Sequence, residues 1–204
     1  MKFFRPLYLL VLTALLLLNT NFVLAQTTTI AVAANMKDAF GEILQEFKQN
    51  NKAKMRVVYG SSGNFAAQII NGAPFNLLIA ADEQFPMELY KHGKTMNEGA
   101  VYAIGKLALI AKSSSIPSLD NRADIARAIV KANKVAIAKP ELAPYGKAAV
   151  EYLKAEGLWD LAKDKLVYGD NVGVATTYVV AGAADIGLTA LSLAKSAENT
   201  KGAH

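Results

Sequence analysis

Val57–Asp82 reads VVYGSSGNFAAQIINGAPFNLLIAAD, and the order of its parts decides the fold. Val57–Tyr59 closes an apolar, β-branched run that begins at Met55 (MRVVY), as a buried strand requires. Gly60-Ser61-Ser62-Gly63-Asn64 is a turn. Phe65–Ile70 has helical spacing and ends at Asn71-Gly72, a C-terminal stop signal. Leu77–Ala81 (LLIAA) is a second buried strand. Strand, turn, helix, stop and strand make a βαβ unit, which places two parallel strands in one sheet with a right-handed crossover.

The same alternation extends outward. On the N-terminal side, Thr28–Ala33 (TTIAVA) predicts a strand and Met36–Gln49 a helix. Met36, Ala39, Phe40, Ile43, Leu44 and Phe47 repeat at the helical period in that segment. On the C-terminal side, Lys106–Ala111 and Lys134–Ala138 predict strands, with a helix at Asp124–Lys131 between them. Lys147–Glu156 is a helix stopped at Gly157. Val172–Ala181 is a helix stopped at Gly182, and Asp185–Ala190 is a final strand. Ser113-Ser114-Ser115-Ile116-Pro117 reads as a loop. There is no tandem repeat and no low-complexity segment. The reading is an α/β chain of parallel βαβ units.

Residues 1–25 are set apart. Lys2 and Arg5 precede an apolar run from Leu7 to Leu18, broken only by Thr13, and Val23-Leu24-Ala25 supplies a small-residue end. This is the pattern of a cleavable secretory signal peptide. The apolar run is shorter than the roughly 20 residues of a spanning helix. The chain has no Cys, so it offers no disulfide, no thiolate metal site and no acylation point for a lipoprotein. Without Lys2 and Arg5 the formal charge falls from +5 to +3. The remaining Lys and Arg lie among acids, as in Lys163-Asp164-Lys165, and form no basic stripe for nucleic acid.

In open α/β sheets, ligands bind beyond the carboxyl ends of the strands. Four such junctions carry small or hydroxyl residues and little charge: Ala33-Ala34-Asn35, Gly60-Ser61-Ser62-Gly63-Asn64, Pro144-Tyr145-Gly146 and Gly169-Asp170-Asn171-Val172. The last two are read as segments that precede helices at Lys147 and Val172. Each exposes free N–H groups at a helix N-terminus, where the dipole favours an anion. Asn35, Ser61 or Ser62, and Tyr145 add side-chain donors. The plainer alternative is that Asn35 and the Ser61-Ser62 pair are ordinary caps and turns. Spacing alone supports small-ligand or anion binding and no more.

Enzyme chemistry finds no footing. Ser61 and Ser62 lie outside a Gly-x-Ser-x-Gly elbow. There is no P-loop, no Cys nucleophile and no His cluster for zinc. His92 reads as an exposed helix end and His204 is terminal. Asp82-Glu83 and Glu151 read as surface or hinge residues.

Together the segments IAVAANMKDAF (Ile30–Phe40), Val57–Asp82, YAIGKLAL (Tyr102–Leu109), KPELAPYGKAAVEYL (Lys139–Leu153), LWDLAKDKLVYGDNV (Leu158–Val172) and GAADIGLTALS (Gly182–Ser192) resemble the ModA family of periplasmic molybdate-binding proteins. The resemblance implies a two-lobe periplasmic binding protein fold of type II, with the anion in the cleft. It divides the chain into a signal peptide at 1–25, a first lobe at 26–104, a second at 105–195 and a return to the first lobe at 196–204. Family members continue beyond this point, so the C-terminal part of the first lobe is expected to be missing.

Carried over residue by residue, the implied oxyanion contacts are Asn35, Ser62, Tyr145 through its backbone, and Val172 through its backbone. Ser61 and Asn171 stand as additional contacts. Any metal contact of Asn35, Ser62 or Val172 is through the oxygens of molybdate. Some members add a Tyr hydroxyl where this chain has Ala190, and the Tyr145 hydroxyl is the candidate substitute. The implied function is capture of molybdate, with tungstate beside it, for an ABC permease and its ATPase. The implied protein is a periplasmic monomer with no cofactor and no nucleic acid partner. Sulfate, another oxyanion, or a non-binding remnant are the alternatives.

Overall fold

The computed structural model describes residues 27–111, 119 and 121–196. The segment read as a signal peptide, the predicted Ser113–Pro117 loop and the final residues fall outside them. The chain forms β1 (Thr28–Ala33), a 3-10 turn (Ala34–Met36), α1 (Lys37–Asn50), β2 (Met55–Gly60), α2 (Ser62–Ile70), β3 (Leu77–Ile79) and α3 (Gln84–Lys91). It continues with β4 (Leu107–Ala111), α4 (Arg122–Lys131), β5 (Val135–Ala138), α5 (Pro144–Ala155), α6 (Trp159–Ala162) and a 3-10 turn (Lys163–Lys165). The last elements are β6 (Leu166–Gly169), α7 (Val172–Val180), β7 (Ile186–Ala190) and α8 (Leu191–Ala194).

Two sheets carry the fold. The first has the order β2-β1-β3 and is parallel throughout. The second has the order β4-β7-β5-β6. There β5 pairs in parallel with β6 and β7, whereas β4 runs antiparallel to β7. The expectation of purely parallel pairing fails at this edge. β4 enters from the long segment after α3 rather than from a βαβ crossover, so the parallel rule does not bind it.

The central strands are continuous apolar runs because helices or neighbouring chain cover both faces. Ile30 to Ala33 of β1 are all buried, as are all four residues of β5 and all five of β7. Around the first sheet, Ile30, Val32 and Phe40 form the core with Leu44, Val57 and Ile79 beside them. The second sheet has the larger core, including Ile129, Val135, Ile137, Leu153, Leu158, Ile186 and Leu188. Burying each such side chain contributes about 1.5–3 kcal/mol.

The predicted stops hold. Gly72 has φ +90° and closes α2, with Gly72 N–H donating to Ile69 O and Ala73 N–H to Gln68 O. That pair of bonds needs a left-handed residue, which glycine supplies without a Cβ penalty. Corrections concern several elements. α2 starts at Ser62, three residues before the predicted Phe65, so Ser62-Gly63-Asn64 is its first turn and not part of the preceding turn. α5 starts at Pro144, three residues before the predicted Lys147, so Pro144-Tyr145-Gly146 is its first turn and not a preceding loop. Proline fits there because the N–H it lacks has no helical partner. The short strand β6 and the helices α3, α6 and α8 also stand where no element was predicted.

Candidate functional site

One cavity gathers all six residues named from the sequence. Asn35, Ser61, Ser62, Tyr145, Asn171 and Val172 line it, with Ala33, Ala34, Gly60, Ala81, Ala143 and Pro144. Asn35, Ser61 and Ser62 come from the ends of β1 and β2. Tyr145 and Val172 come from the helices that follow β5 and β6. The cavity therefore lies between the two sheets, beyond their carboxyl ends. Its lining holds no Asp, Glu, Lys, Arg or His.

The side chains in the cavity are unevenly committed. Asn35 is 8% exposed and Ser61 is 3% exposed, yet the Asn35 Oδ1 and the Ser61 Oγ have no partner among the described residues. Neither side chain caps a helix. Asn35 sits inside the 3-10 turn, and Ser61 holds the N-cap position of α2 without a side-chain bond to it. The ordinary-cap alternative therefore fails at both. It holds at Asn171, whose Oδ1 accepts from Val174 N–H at 3.1 Å and caps α7. Ser62 is fully buried, and its Oγ accepts from Ala81 N–H at 2.9 Å. That bond leaves the Ser62 hydroxyl proton free to donate.

Three helices begin at the cavity wall: α2 at Ser62, α5 at Pro144 and α7 at Val172. Each directs unbonded N–H groups and the positive end of its dipole inward. The Asn35 amide carries an NH2 donor as well as its uncommitted oxygen. The result is a compact set of neutral donors, which matches a small anion whose every oxygen accepts. The cavity measures only about 10 Å³, close to the room for one water-sized sphere.

The walls are joined across the cleft. Ala34 and Ala81 from the first-sheet side pack into one apolar cluster with Ala138, Ala143, Tyr145, Val172 and Ala190. Gly63 N–H donates to Leu142 O at 2.9 Å, and Lys147 Nζ donates to Gln84 Oε1 at 3.3 Å. Ala190 is fully buried in that cluster.

Sequence reasoning missed several supports. The Thr176 hydroxyl donates to Val172 O at 2.7 Å and meets the Thr189 hydroxyl of β7, tying the first turn of α7 to the sheet. Tyr102 donates to Ala80 O at 2.8 Å and fixes the end of β3. Threonine pairs and lone tyrosines carry no local signal, so only the fold brings them together. The Tyr145 hydroxyl lies against Gly105, where an added Cβ would stand 2.2 Å from it. Gly105 lines not the small cavity but a larger, adjoining groove that shares Asn35, Ala81 and Tyr145 with it. Burial raises the Tyr145 hydroxyl pKa above its ordinary value, so it remains a neutral donor.

A neutral donor cage between two α/β lobes is the arrangement of a solute-binding protein, and the comparisons agree. The model of the bacterial extracellular solute-binding protein family matches residues 28–204. The molybdate-binding protein ModA of Haemophilus influenzae is 30% identical over 197 residues, covering 93% of this chain and 76% of that protein. The chain belongs to the ModA family of bacterial extracellular solute-binding proteins. ModA of Azotobacter vinelandii is 38% identical over 173 residues, covering 82% of this chain and 66% of that protein. The solved structure of a periplasmic molybdate-binding protein from Azotobacter vinelandii superposes with a TM-score of 0.75 at 32% identity, over 84% of this chain and 74% of that one. The sulfate-binding protein SubI of Mycobacterium tuberculosis superposes at 0.71 with 16% identity, over 88% of this chain and 70% of that one, and shares the fold. The two-lobe α/β fold is thus that of periplasmic binding proteins. The chain spans 66% of the Azotobacter relative's length and 63% of that of ModA from Rhodobacter capsulatus. These relatives are solute-binding proteins, not enzymes.

Proposed function

We propose that this protein captures molybdate outside the cytoplasm and presents it to an ABC import permease driven by a cytoplasmic ATPase. The observation that carries the reading is the donor cage: buried, uncommitted side chains of Asn35 and Ser61, the free proton of Ser62, and the first turns of α5 and α7, with no charged residue in the lining. Asn35, Ser61 and Ser62 hold the anion from the first lobe. Tyr145 and Val172 hold it from the second through backbone N–H groups. The ligand touches both lobes, so it favours the closed arrangement by the difference in its affinity for the two states. Molybdate and tungstate are doubly charged, fully deprotonated tetrahedra of similar size, so the same cage takes both. Phosphate near neutral pH keeps a proton and needs an acceptor, and the cavity lining has no carboxylate. The relatives' molybdate binding supports the choice of ion. The signal-peptide pattern at 1–25 supports a periplasmic location, and the protein acts as a monomer without a cofactor.

Thermal unfolding of the purified protein with molybdate, tungstate, sulfate or phosphate tests the reading. A ligand at about 100 times its Kd stabilises the native state by roughly 2.7 kcal/mol. That corresponds to a rise in Tm of about 5–10 °C for a chain of this size. Molybdate and tungstate are expected to give that rise, with sulfate and phosphate giving none. A sulfate shift equal to the molybdate shift would reassign the ion. A cooperative melt that none of the four moves would overturn the binding role.

A further inference from the structure

We propose that Gly63 sets whether the two lobes can close, although it contributes no atom to the cavity wall. Gly63 is the second residue of α2 and is absent from the cavity lining. Its backbone is ordinary helix, since it is not among the positive-φ glycines. A glycine inside a helix costs stability relative to alanine, so local conformation gives no reason for it. Space does. A Cβ at this position would stand 2.8 Å from Leu142 O, 3.0 Å from Leu142 Cα and 2.9 Å from Phe85 Cζ. The contacts to Leu142 O and Phe85 Cζ are shorter than a Cβ tolerates and that to Leu142 Cα is at the limit, and two of the three atoms are backbone of the opposite lobe.

The contact is also a bond. Gly63 N–H donates to that same Leu142 carbonyl at 2.9 Å. Leu142 cannot easily yield, because its loop is pinned from within. Leu142 N–H and Ala143 N–H both donate to Lys139 O, and Ala143 O in turn accepts from Gly146 and Lys147. The loop runs directly into Ala143, Pro144 and Tyr145, which line the cavity. A side chain at 63 therefore pushes the segment that carries the second lobe's donors away from Ser61 and Ser62. Closure and the completeness of the donor cage depend on one missing methyl group. The consequence for affinity rests on the oxyanion reading above; the consequence for closure does not.

The test uses the absence of native Cys. Spin labels on Gln49→Cys and Glu151→Cys, both exposed and on opposite lobes, report the interlobe distance distribution with and without molybdate. Gly63→Ala is expected to shift the distribution to longer distances and to weaken molybdate binding about tenfold or more, because the binding-competent fraction falls. Its cooperative melt should be kept. Gly41→Ala, with open space around its Cβ, should change neither readout. Adding Phe85→Ala to Gly63→Ala removes the ring but not the Leu142 backbone, so closure should stay impaired. A parental distance distribution in Gly63→Ala, full rescue by Phe85→Ala, or loss of the cooperative melt would each overturn the proposal. If the parent protein binds none of the ions while Gly63→Ala still lengthens the distance, the oxyanion reading fails and the closure role stands.

Discussion

The Ser192 hydroxyl donates to the Asn35 carbonyl at 2.7 Å, joining the start of α8 to the turn that carries a cavity side chain. The bond crosses from the segment after β7 to the segment after β1. It therefore holds the Asn35 backbone from outside the first sheet. Ser192→Ala removes the donor and leaves the Asn35 carbonyl part-buried without it. The expected loss is about 0.5–1.5 kcal/mol in stability, together with weaker anion binding because the Asn35 amide is less fixed. Calorimetric titration with molybdate beside a melting curve reads both. Unchanged affinity would show that the turn is held by other contacts.

Ser61 and Ser62 adjoin in sequence and should respond oppositely. The Ser61 Oγ is buried with no partner, so Ser61→Ala removes an unsatisfied group and should leave the free protein as stable or more so. Its affinity for the anion should drop by about 1.5–3 kcal/mol, the range for a hydrogen bond to a charged group. The Ser62 Oγ accepts Ala81 N–H, so Ser62→Ala should destabilise the free protein by about 1–3 kcal/mol as that donor loses its acceptor. Melting curves without ligand separate the two. Equal stability losses in both variants would contradict this division of roles.

The Tyr145 ring and hydroxyl reach toward Gly105 and the large groove. The backbone of Tyr145, at the first turn of α5, is the part suited to the anion. Tyr145→Phe should therefore leave molybdate affinity unchanged. Burial raises the hydroxyl pKa above 10.0, so wild-type affinity should also show no step from this group as the pH nears that value. A clear loss of affinity in Tyr145→Phe would restore the hydroxyl as a ligand contact.

Asp82 follows the strand end that supplies Ala81 to the cavity, and its carboxyl pKa is raised above the ordinary carboxylate value. Burial is the main cause. The neighbouring Glu83 adds to it, while the Phe85 N–H and Lys147 oppose it. The folded state thus binds the proton more tightly than the unfolded state, and stability falls as pH rises through the interval above the unfolded value. Asp82→Asn keeps an acceptor for Phe85 N–H and removes the charge. It should raise Tm at neutral pH, and the gain should vanish below about pH 4, where both states are protonated. A gain that persists at low pH would point to packing rather than charge.

Legibility in the sequence followed the range of the interaction. The helix spacing of Phe40, Ile43, Leu44 and Phe47 and the Asn71-Gly72 stop are set by near neighbours, and they appear where the pattern places them. The convergence of Asn35, Ser61, Tyr145 and Val172 was visible because strand ends in open α/β sheets meet. The four-residue strand at Leu166–Gly169 was hidden, since so short a run before Asp170 has no measurable period. That the Asn35 and Ser61 side chains do not act as caps depends on their turn geometry, which residue type alone does not report. Nor does it report the Gly63–Leu142 bond.

Val172 allows the backbone contribution to be tested alone. It is the first residue of α7, where the N–H has no helical partner and proline is well tolerated. The preceding Asn171 is extended, at φ −150° and ψ 173°, near the conformation that a following proline favours. Val172→Pro therefore deletes one N–H from the cavity wall while the helix, its Asn171 cap and the apolar volume remain close to native. The free protein should keep a cooperative melt. Molybdate affinity should fall by about 1.5–3 kcal/mol, a ten- to hundredfold rise in Kd. Val172→Ala keeps the N–H and should bind far better than Val172→Pro, although it opens a small void beside Ala34. If both variants lose affinity equally, the Val172 side chain and not its backbone donor maintains the site, and the role assigned to the α7 N-terminus is wrong.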